Sequence, residues 1–323
     1  MDLKGKRVLV IGGAGFIGSH VVDLLTQEEV AQVIVYDDFS RGNLKNLDAA
    51  LRDPRVTIFE LGGNILHADV LNAAMREVDC VVHLAALWLL HCQDYPRSAF
   101  EVNVRGTFNV LETCVANKVK RLVYSSSASV YGDALQVPMT EEHPFANRTF
   151  YGATKIAGEQ MCRAFSHRYG LEYVALRYMN VYGPRQDDRG AYTNVLMKTL
   201  DRIDEGQPPV IYGDGSQSYD FIFVGDAARA NVMALNASAT DEAFNIGRGV
   251  RTTLNELVRE LLDLTGSLLL PEHRPQGQTF VQHRVGSTEK AEQLLGFRAE
   301  VPLREGLQEL IDWRKQQLIG RQR

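Results

Sequence analysis

A chain of 323 residues with 45% hydrophobic and 23% charged positions has apolar material for one large domain, or for a nucleotide-binding domain with a smaller partner. Its 35 lysines and arginines against 40 aspartates and glutamates give a net charge of −5, without the basic bias of a polyanion binder, so nucleic acid is not an expected partner. Cys80, Cys92, Cys114 and Cys162 lie far apart with no CxxC pair, and the eight histidines show no metal-ligand spacing, which argues against a disulfide framework and a zinc site. Free, mostly buried thiols and no metal are expected.

In chain order, Met1 to Arg7 leads directly into an apolar strand. There is no signal-peptide core and no stretch long enough to span a bilayer, so a cytoplasmic protein without a membrane partner is expected. Short apolar runs then alternate with amphipathic stretches. Strands are expected at Arg7–Ile11, Gln32–Tyr36, 56–60, 80–84, 121–124 and 173–177, and their near-continuous Val, Ile and Leu content suits a parallel sheet covered on both faces. Helices are expected from near Ser19, over 97–117, where Phe100, Val104, Phe108 and Leu111 recur at helical spacing, and over Phe150–Tyr169. His83, inside an apolar run, reads as a core histidine with its hydrogen bonds satisfied. After about residue 178 the rhythm breaks into loop-rich segments such as 181–190 and 212–218, a run at 219–223, and helices near 253–264 and 303–317. A second, smaller domain is expected there, giving bounds of 1–178 and 179–323, with no internal repeat.

The strand Arg7–Ile11 is followed at once by Gly12-Gly13-Ala14-Gly15-Phe16-Ile17-Gly18 and then by a helix. Glycines let the backbone turn tightly and approach a pyrophosphate, and the helix N-terminus offers free N–H groups and a favourable dipole. The next strand ends at Asp37, where a carboxylate accepts hydrogen bonds from the adenosine ribose hydroxyls and repels a 2′-phosphate. NAD is therefore expected rather than NADP. Arg41 is either a host for such a phosphate or a solvated loop arginine, and the second reading is preferred.

The strand at 121–124 runs into Ser125-Ser126-Ser127-Ala128-Ser129-Val130-Tyr131-Gly132, and further on come Tyr151 and Lys155. Four apart on a helix, they share one face, and an ammonium beside a phenol favours the phenolate. Such a phenolate can take a proton from a sugar hydroxyl while hydride leaves the same carbon. With the glycine loop and Asp37, this constellation resembles the extended short-chain dehydrogenase/reductase family, and within it the UDP-galactose 4-epimerase group. The resemblance runs over nearly the whole chain: His83-Leu84-Ala85-Ala86, Asn103, Asn180, Gly183-Pro184-Arg185, Gly213-Asp214-Gly215, and Arg284 ahead of Ser287-Thr288-Glu289-Lys290-Ala291 all match.

The resemblance implies a Rossmann fold, a doubly wound parallel sheet with a smaller, interleaved C-terminal substrate domain and a return to the main sheet near 221–247. It implies that Gly12, Gly15, Phe16, Ile17, Gly18 and Asp37 hold NAD. Asn64, standing where relatives often place an aspartate for the adenine, joins them with Ile65, Leu84, Ala85 and Ala86. It further implies Tyr151 as base, Lys155 holding Tyr151 and the nicotinamide ribose, and Ser127 orienting the sugar. Asn180 and Arg284 become nucleotide-diphosphate contacts, and the helices at 97–117 and Phe150–Tyr169 become a homodimer face.

Ser127-Ala128-Ser129 separates the relatives. Sugar 4,6-dehydratases resemble this chain but carry acidic residues at the positions of Ala128 and Ser129, and UDP-glucuronate decarboxylases usually carry glutamate at that of Ser129. The serine pattern looks like the 4-epimerases, so interconversion of a nucleotide sugar, a UDP-hexose 4-epimerisation, is the leading expectation. A dehydratase, decarboxylase, keto-sugar reductase or non-catalytic nucleotide sensor of the same family remains as the alternative. Two positions depart from the pattern: Trp88, which packs into the domain interface or touches the sugar, and Tyr219, where relatives commonly bind the diphosphate with an arginine.

Overall fold

The computed structural model describes residues 2–187, 195–275 and 281–321. Strands β1 (Arg7–Ile11), β2 (Gln32–Tyr36), β3 (Val56–Ile58), β4 (Cys80–His83), β5 (Arg121–Ser127) and β6 (Glu172–Tyr178) belong to one parallel sheet. The chain then forms β7 (Asn180–Tyr182), β8 (Val210–Tyr212), β9 (Ser218–Tyr219) and β10 (Phe221–Phe223), and returns to the main sheet as β11 (Glu242–Ile246). Three short strands follow: β12 (Thr252–Thr253), β13 (Glu272–Arg274) and β14 (His283–Arg284). The seven-stranded sheet has the order β11-β6-β5-β4-β1-β2-β3. The order reverses beside β1, where a doubly wound sheet opens its ligand crevice at the carboxyl ends of the strands.

Alternation along β1 shows why both faces are apolar. Val8 and Val10 enter one core, while Leu9 and Ile11 enter the other. Helix α1 (Phe16–Leu25) covers the first face and α2 (Ala68–Ala74) the second. After α3 (Leu89–Asp94) and α4 (Pro96–Ala99), α5 (Thr107–Ala116) and α6 (Phe150–Tyr169) complete the second layer. Beyond α7 (Val195–Asp204), α8 (Val224–Asn236) completes the first with α10 (Glu289–Leu295), which follows α9 (Leu254–Thr265). The helix α11 (Leu303–Arg321) packs with α7 and α9 around Tyr182, Leu196, Phe223, Leu257 and Leu310, in a separate core against which Phe16 and Ile17 also rest.

Several boundaries differ from expectation for physical reasons. The strand at 121–124 continues to Ser127 because β6 runs beside it as far as Tyr178, so the serines are strand residues. The edge strand at 56–60 stops at Ile58, and that at 80–84 stops at His83. The helix expected over 97–117 is three segments, with a wide i→i+5 turn at Phe100–Gly106 between α4 and α5. The run 219–223 is two strands in different sheets. Asp220, between them, takes the backbone N–H groups of Arg248 and Gly249 on its carboxylate. The expected loop at 181–190 begins with β7, and its residues 188–190 lie outside the described residues. All four cysteines are free and buried, no His, Cys, Asp or Glu cluster that could hold a metal occurs among the described residues, and no described helix is long and apolar enough to cross a membrane.

Candidate active site

The carboxyl end of β1 is shaped for close approach. Gly12 has φ +81°, and a Cβ there would sit 2.8 Å from the Ala85 nitrogen, so only glycine lets Leu84 and Ala85 of the β4 end pass alongside. Gly15 precedes α1 without a side-chain cap, which leaves the first N–H groups of that helix to an external anion. A Cβ on Gly18 would meet the Gly12 carbonyl, so this glycine lets the helix close on the loop. Asp37 is fixed by the Ala14 N–H at 2.9 Å and the Phe39 N–H at 2.8 Å, one on each oxygen, with a lone pair left on each. Burial raises its pKa while those two N–H groups lower it. An uncapped helix start, a cradle a Cβ would fill and a terminal carboxylate fit a dinucleotide with free ribose hydroxyls. Asn64 accepts the Leu66 N–H on its side-chain oxygen at 2.9 Å, and its carbonyl takes the Tyr36 hydroxyl. Ile65 is buried against Gly106.

Helix α6 is capped by Thr149, whose hydroxyl accepts the Gly152 N–H at 3.0 Å, and presents Tyr151, Lys155 and Glu159 at successive i+4 positions toward β5. Each meets a different serine. Ser127 hydrogen-bonds Tyr151, the Lys155 Nζ donates to the Ser125 carbonyl at 2.6 Å, and Ser126 donates to Glu159. Burial pushes the Tyr151 phenol up to about 12, against which Ser127 and the Arg284 charge act to lower it. The sequence pointed to Lys155 as the source of that lowering. In the structure its Nζ lies over the Tyr151 ring, 5.6 Å from the centroid, and is tied to Ser125, while Arg284, from a strand distant in sequence, adds a charge that lowers the phenol. Burial lowers Lys155 itself to about 8, opposed by Cys92 and Glu159. His83 is only half satisfied: Nε2 meets the Thr107 hydroxyl at 3.0 Å, Nδ1 is buried without a partner among the described residues, and burial with the Lys155 charge lowers it to about 3.

Across the cleft, β9 and β14 bring Tyr219 and Arg284 side by side. Arg284 has a buried Nε without a partner among the described residues, as a guanidinium awaiting an anion would. The Tyr219 hydroxyl donates to the Val281 carbonyl at 3.0 Å, so its polar end is committed to the protein. Asn180 directs its N–H and its side-chain amide to the Asp220 carbonyl, leaving Oδ1 for a ligand. Trp88 opens α3, and its ring receives the Arg41 guanidinium at 4.2 Å. Arg41 is the exposed loop arginine expected, and it also pairs with Asp187 at 2.6 Å, which engages the charge a 2′-phosphate would need.

Sequence reasoning gave no role to three groups. Asn103 clamps Leu87 by accepting its N–H at 2.7 Å and donating to its carbonyl at 2.9 Å, which sets the chain ahead of Trp88. Asp133 accepts the N–H groups of Gln282 and His283 at 3.0 and 3.1 Å, tying the loop after the serine strand to the strand of Arg284. Arg177 and Glu159 form a buried pair at 2.7 Å, and Arg177 also reaches the Tyr131 hydroxyl at 2.8 Å. A buried polar residue in an apolar stretch was the available signal for Asn103 and Glu159. Asp133 carries none.

The profile described as the NAD dependent epimerase/dehydratase family matches residues 8–247. A putative UDP-glucose 4-epimerase of Methanocaldococcus jannaschii is 34% identical over 95% of this chain and 98% of its own length. The solved UDP-N-acetylglucosamine 4-epimerase of Methanobrevibacter ruminantium, in complex with UDP-N-acetylmuramic acid, superposes with a TM-score of 0.91 at 32% identity, over 97% of this chain and 99% of that one. A dTDP-glucose 4,6-dehydratase from Streptomyces venezuelae with NAD bound superposes at 0.88 and 30% identity, over 96% and 97% of the two chains.

Proposed function

The chain belongs to the NAD-dependent epimerase/dehydratase family, and on that premise we propose that it inverts C4 of a UDP-linked hexose. The observation that carries this reading is at the end of β5. Ser127 is followed by the buried Ala128 and Ser129, which supply no carboxylate. Glu159, the acid that approaches this strand from α6, is already engaged by Arg177 and Ser126. A dehydration or decarboxylation needs a further acid or base at the sugar, whereas epimerisation needs one base and a hydride that leaves and returns.

Residues 1–178, with the return near 221–247, hold NAD in this account, and 179–323 take the nucleotide sugar. Bound NAD supplies the hydride acceptor and donor. Ser127 orients the C4 hydroxyl, and Tyr151 takes its proton and gives it back. Lys155, anchored on Ser125, holds the ribose beside them. Arg284 and the Asn180 amide oxygen face the diphosphate and its nucleotide, with Trp88 and Tyr219 walling the pocket. We also assign a second copy of the chain to the face of α5 and α6. Phe100, Phe108 and Tyr169 are exposed there, and the Phe165 ring lies 5.4 Å from both Phe108 and Tyr169.

The test is incubation of the purified protein, without added NAD, with a panel of nucleotide sugars and identification of products by NMR. A pair of UDP-hexose C4 epimers is expected. A 4-keto-6-deoxy sugar or a pentose as the product would refute the reading.

A further inference from the structure

Strands β2 and β4 flank β1 in the sheet, so the loops that leave their carboxyl ends stand on either side of the loop Gly12–Gly15. Arg41 comes from the first of these loops and Trp88 from the second. Their stacking at 4.2 Å therefore joins the two loops that flank the loop Gly12–Gly15. Asp187 joins them from the segment after β7, through its 2.6 Å ion pair with Arg41.

The stems of Arg41 and Trp88 are held by hydrogen bonds, and that of Asp187 is anchored two residues earlier. The turn before Arg41 is fixed on Asp37 by the Phe39 N–H, and the chain after it is fixed on the Ala14 carbonyl by the Asn43 N–H and the Asn46 amide. Trp88 follows Leu87, which Asn103 clamps at both its N–H and its carbonyl. Asp187 lies two residues beyond Arg185, a left-handed residue with φ +66° whose side chain pairs with Asp23 of α1 at 2.7 Å. The buckle between these stems is weak by comparison, with the Arg41 and Asp187 side chains 36% and 41% exposed.

We propose that Arg41, Trp88 and Asp187 form a clasp that retains NAD: the cofactor lies beneath the Arg41–Trp88 contact and leaves only when that contact and the Asp187 pair open. Arg41 and Asp187 act as positioning residues for this closure. The inference rests on the NAD site and not on the sugar reaction, so it stands or falls separately from the epimerase reading.

The experiment loads the full-length protein with radiolabelled NAD and follows loss of label after a chase with excess unlabelled NAD. An exposed ion pair and a cation–π contact together support roughly a three- to thirty-fold faster release on their removal. Arg41→Ala is expected in that range, Asp187→Asn toward its lower end, and Arg41→Lys between parent and Arg41→Ala, because lysine keeps the charge and loses the planar stack. Added salt should speed release from the parent more than from Arg41→Ala. The double variant should release no faster than Arg41→Ala alone, since both changes open one closure. Thermal unfolding serves as the fold control, and Asp187→Asn, a surface change, reads the clasp even if Arg41→Ala fails to fold. Release at the parent rate from Asp187→Asn and from a folded Arg41→Ala, or fully additive effects in the double variant, would overturn the clasp. Loss of NADP binding by Arg41→Ala with NAD release unchanged would also overturn it, returning Arg41 to a 2′-phosphate role.

Discussion

The phenol of Tyr151 is held protonated by burial until positive charge gathers around it, and Arg284 is one source of that charge. Removing a positive charge makes the phenolate less stable and raises the pKa. Arg284→Gln is therefore expected to move the acidic limb of the pH–kcat profile to higher pH, besides weakening substrate binding. An unmoved limb would leave Arg284 with a binding role alone. Tyr151→Phe removes the only ionisable group of this side chain with little change of shape, and turnover should fall to near zero while NAD still binds. Lys155 allows a test of opposite sense. Its pKa falls from 10.5 to about 8 on folding, so between those values the folded chain binds fewer protons than the unfolded one. Stability should then rise with pH across roughly 8 to 10.5, and at neutral pH burial of the ammonium costs about 3 kcal/mol before its hydrogen bond to Ser125 is counted. Lys155→Met should therefore lose turnover in the NAD-loaded enzyme and, in the NAD-free protein, flatten that rise and leave urea stability at pH 7 unreduced. A loss of more than about 2 kcal/mol would contradict this. Tyr151, Lys155 and Asp37 were legible because helix spacing and position after a strand place them. Arg41 was not: its partner Asp187 is 146 residues away, and nothing local to either residue announces the pair.

At the scale of elements, the strands were legible from their continuous apolar runs and missed mainly at their ends, where neighbouring strands decide how far pairing extends. The stretch 97–117 shows a different limit. Helical periodicity survives a widened turn, so the pattern read as one helix although Phe100–Gly106 opens to seat Asn103 and to bring Gly106 against Ile65. Asn103→Ala leaves the Leu87 N–H and carbonyl without these partners, and a destabilisation of about 1–3 kcal/mol is expected. Urea unfolding checks it, and weaker NAD retention should accompany it because Trp88 loses its fixed stem. The Glu159–Arg177 pair ties α6 to β6 beneath the serines. Glu159→Ala strands the Arg177 charge in the interior and should destabilise by about 3–5 kcal/mol, with Glu159→Gln milder because it keeps an acceptor. Equal stability of all three proteins would show that water reaches this pair.

At the scale of the whole molecule, the layering of helices on a parallel sheet followed from the alternation of short strands and helices, whereas the return of β11 beside β6 came only through the family resemblance, since Glu242–Ile246 looks like any short strand. The exposed rings of Phe100, Phe108 and Tyr169 give the whole-molecule prediction for assembly. Phe108→Glu should convert a dimer to a monomer in light scattering, and a parent protein that is already monomeric would remove this face from the account. The central claim concerns reaction type, and it descends from one stretch, Ser127-Ala128-Ser129. Hydride leaves C4 and returns to C4 without entering solvent, while the dehydratase and decarboxylase routes take up a solvent proton on carbon. The most direct measurement is conversion of the UDP-hexose in deuterated water, with the product examined by NMR. The account predicts the C4 epimer with no deuterium bound to carbon, and deuterium at C5 or C6 would contradict it.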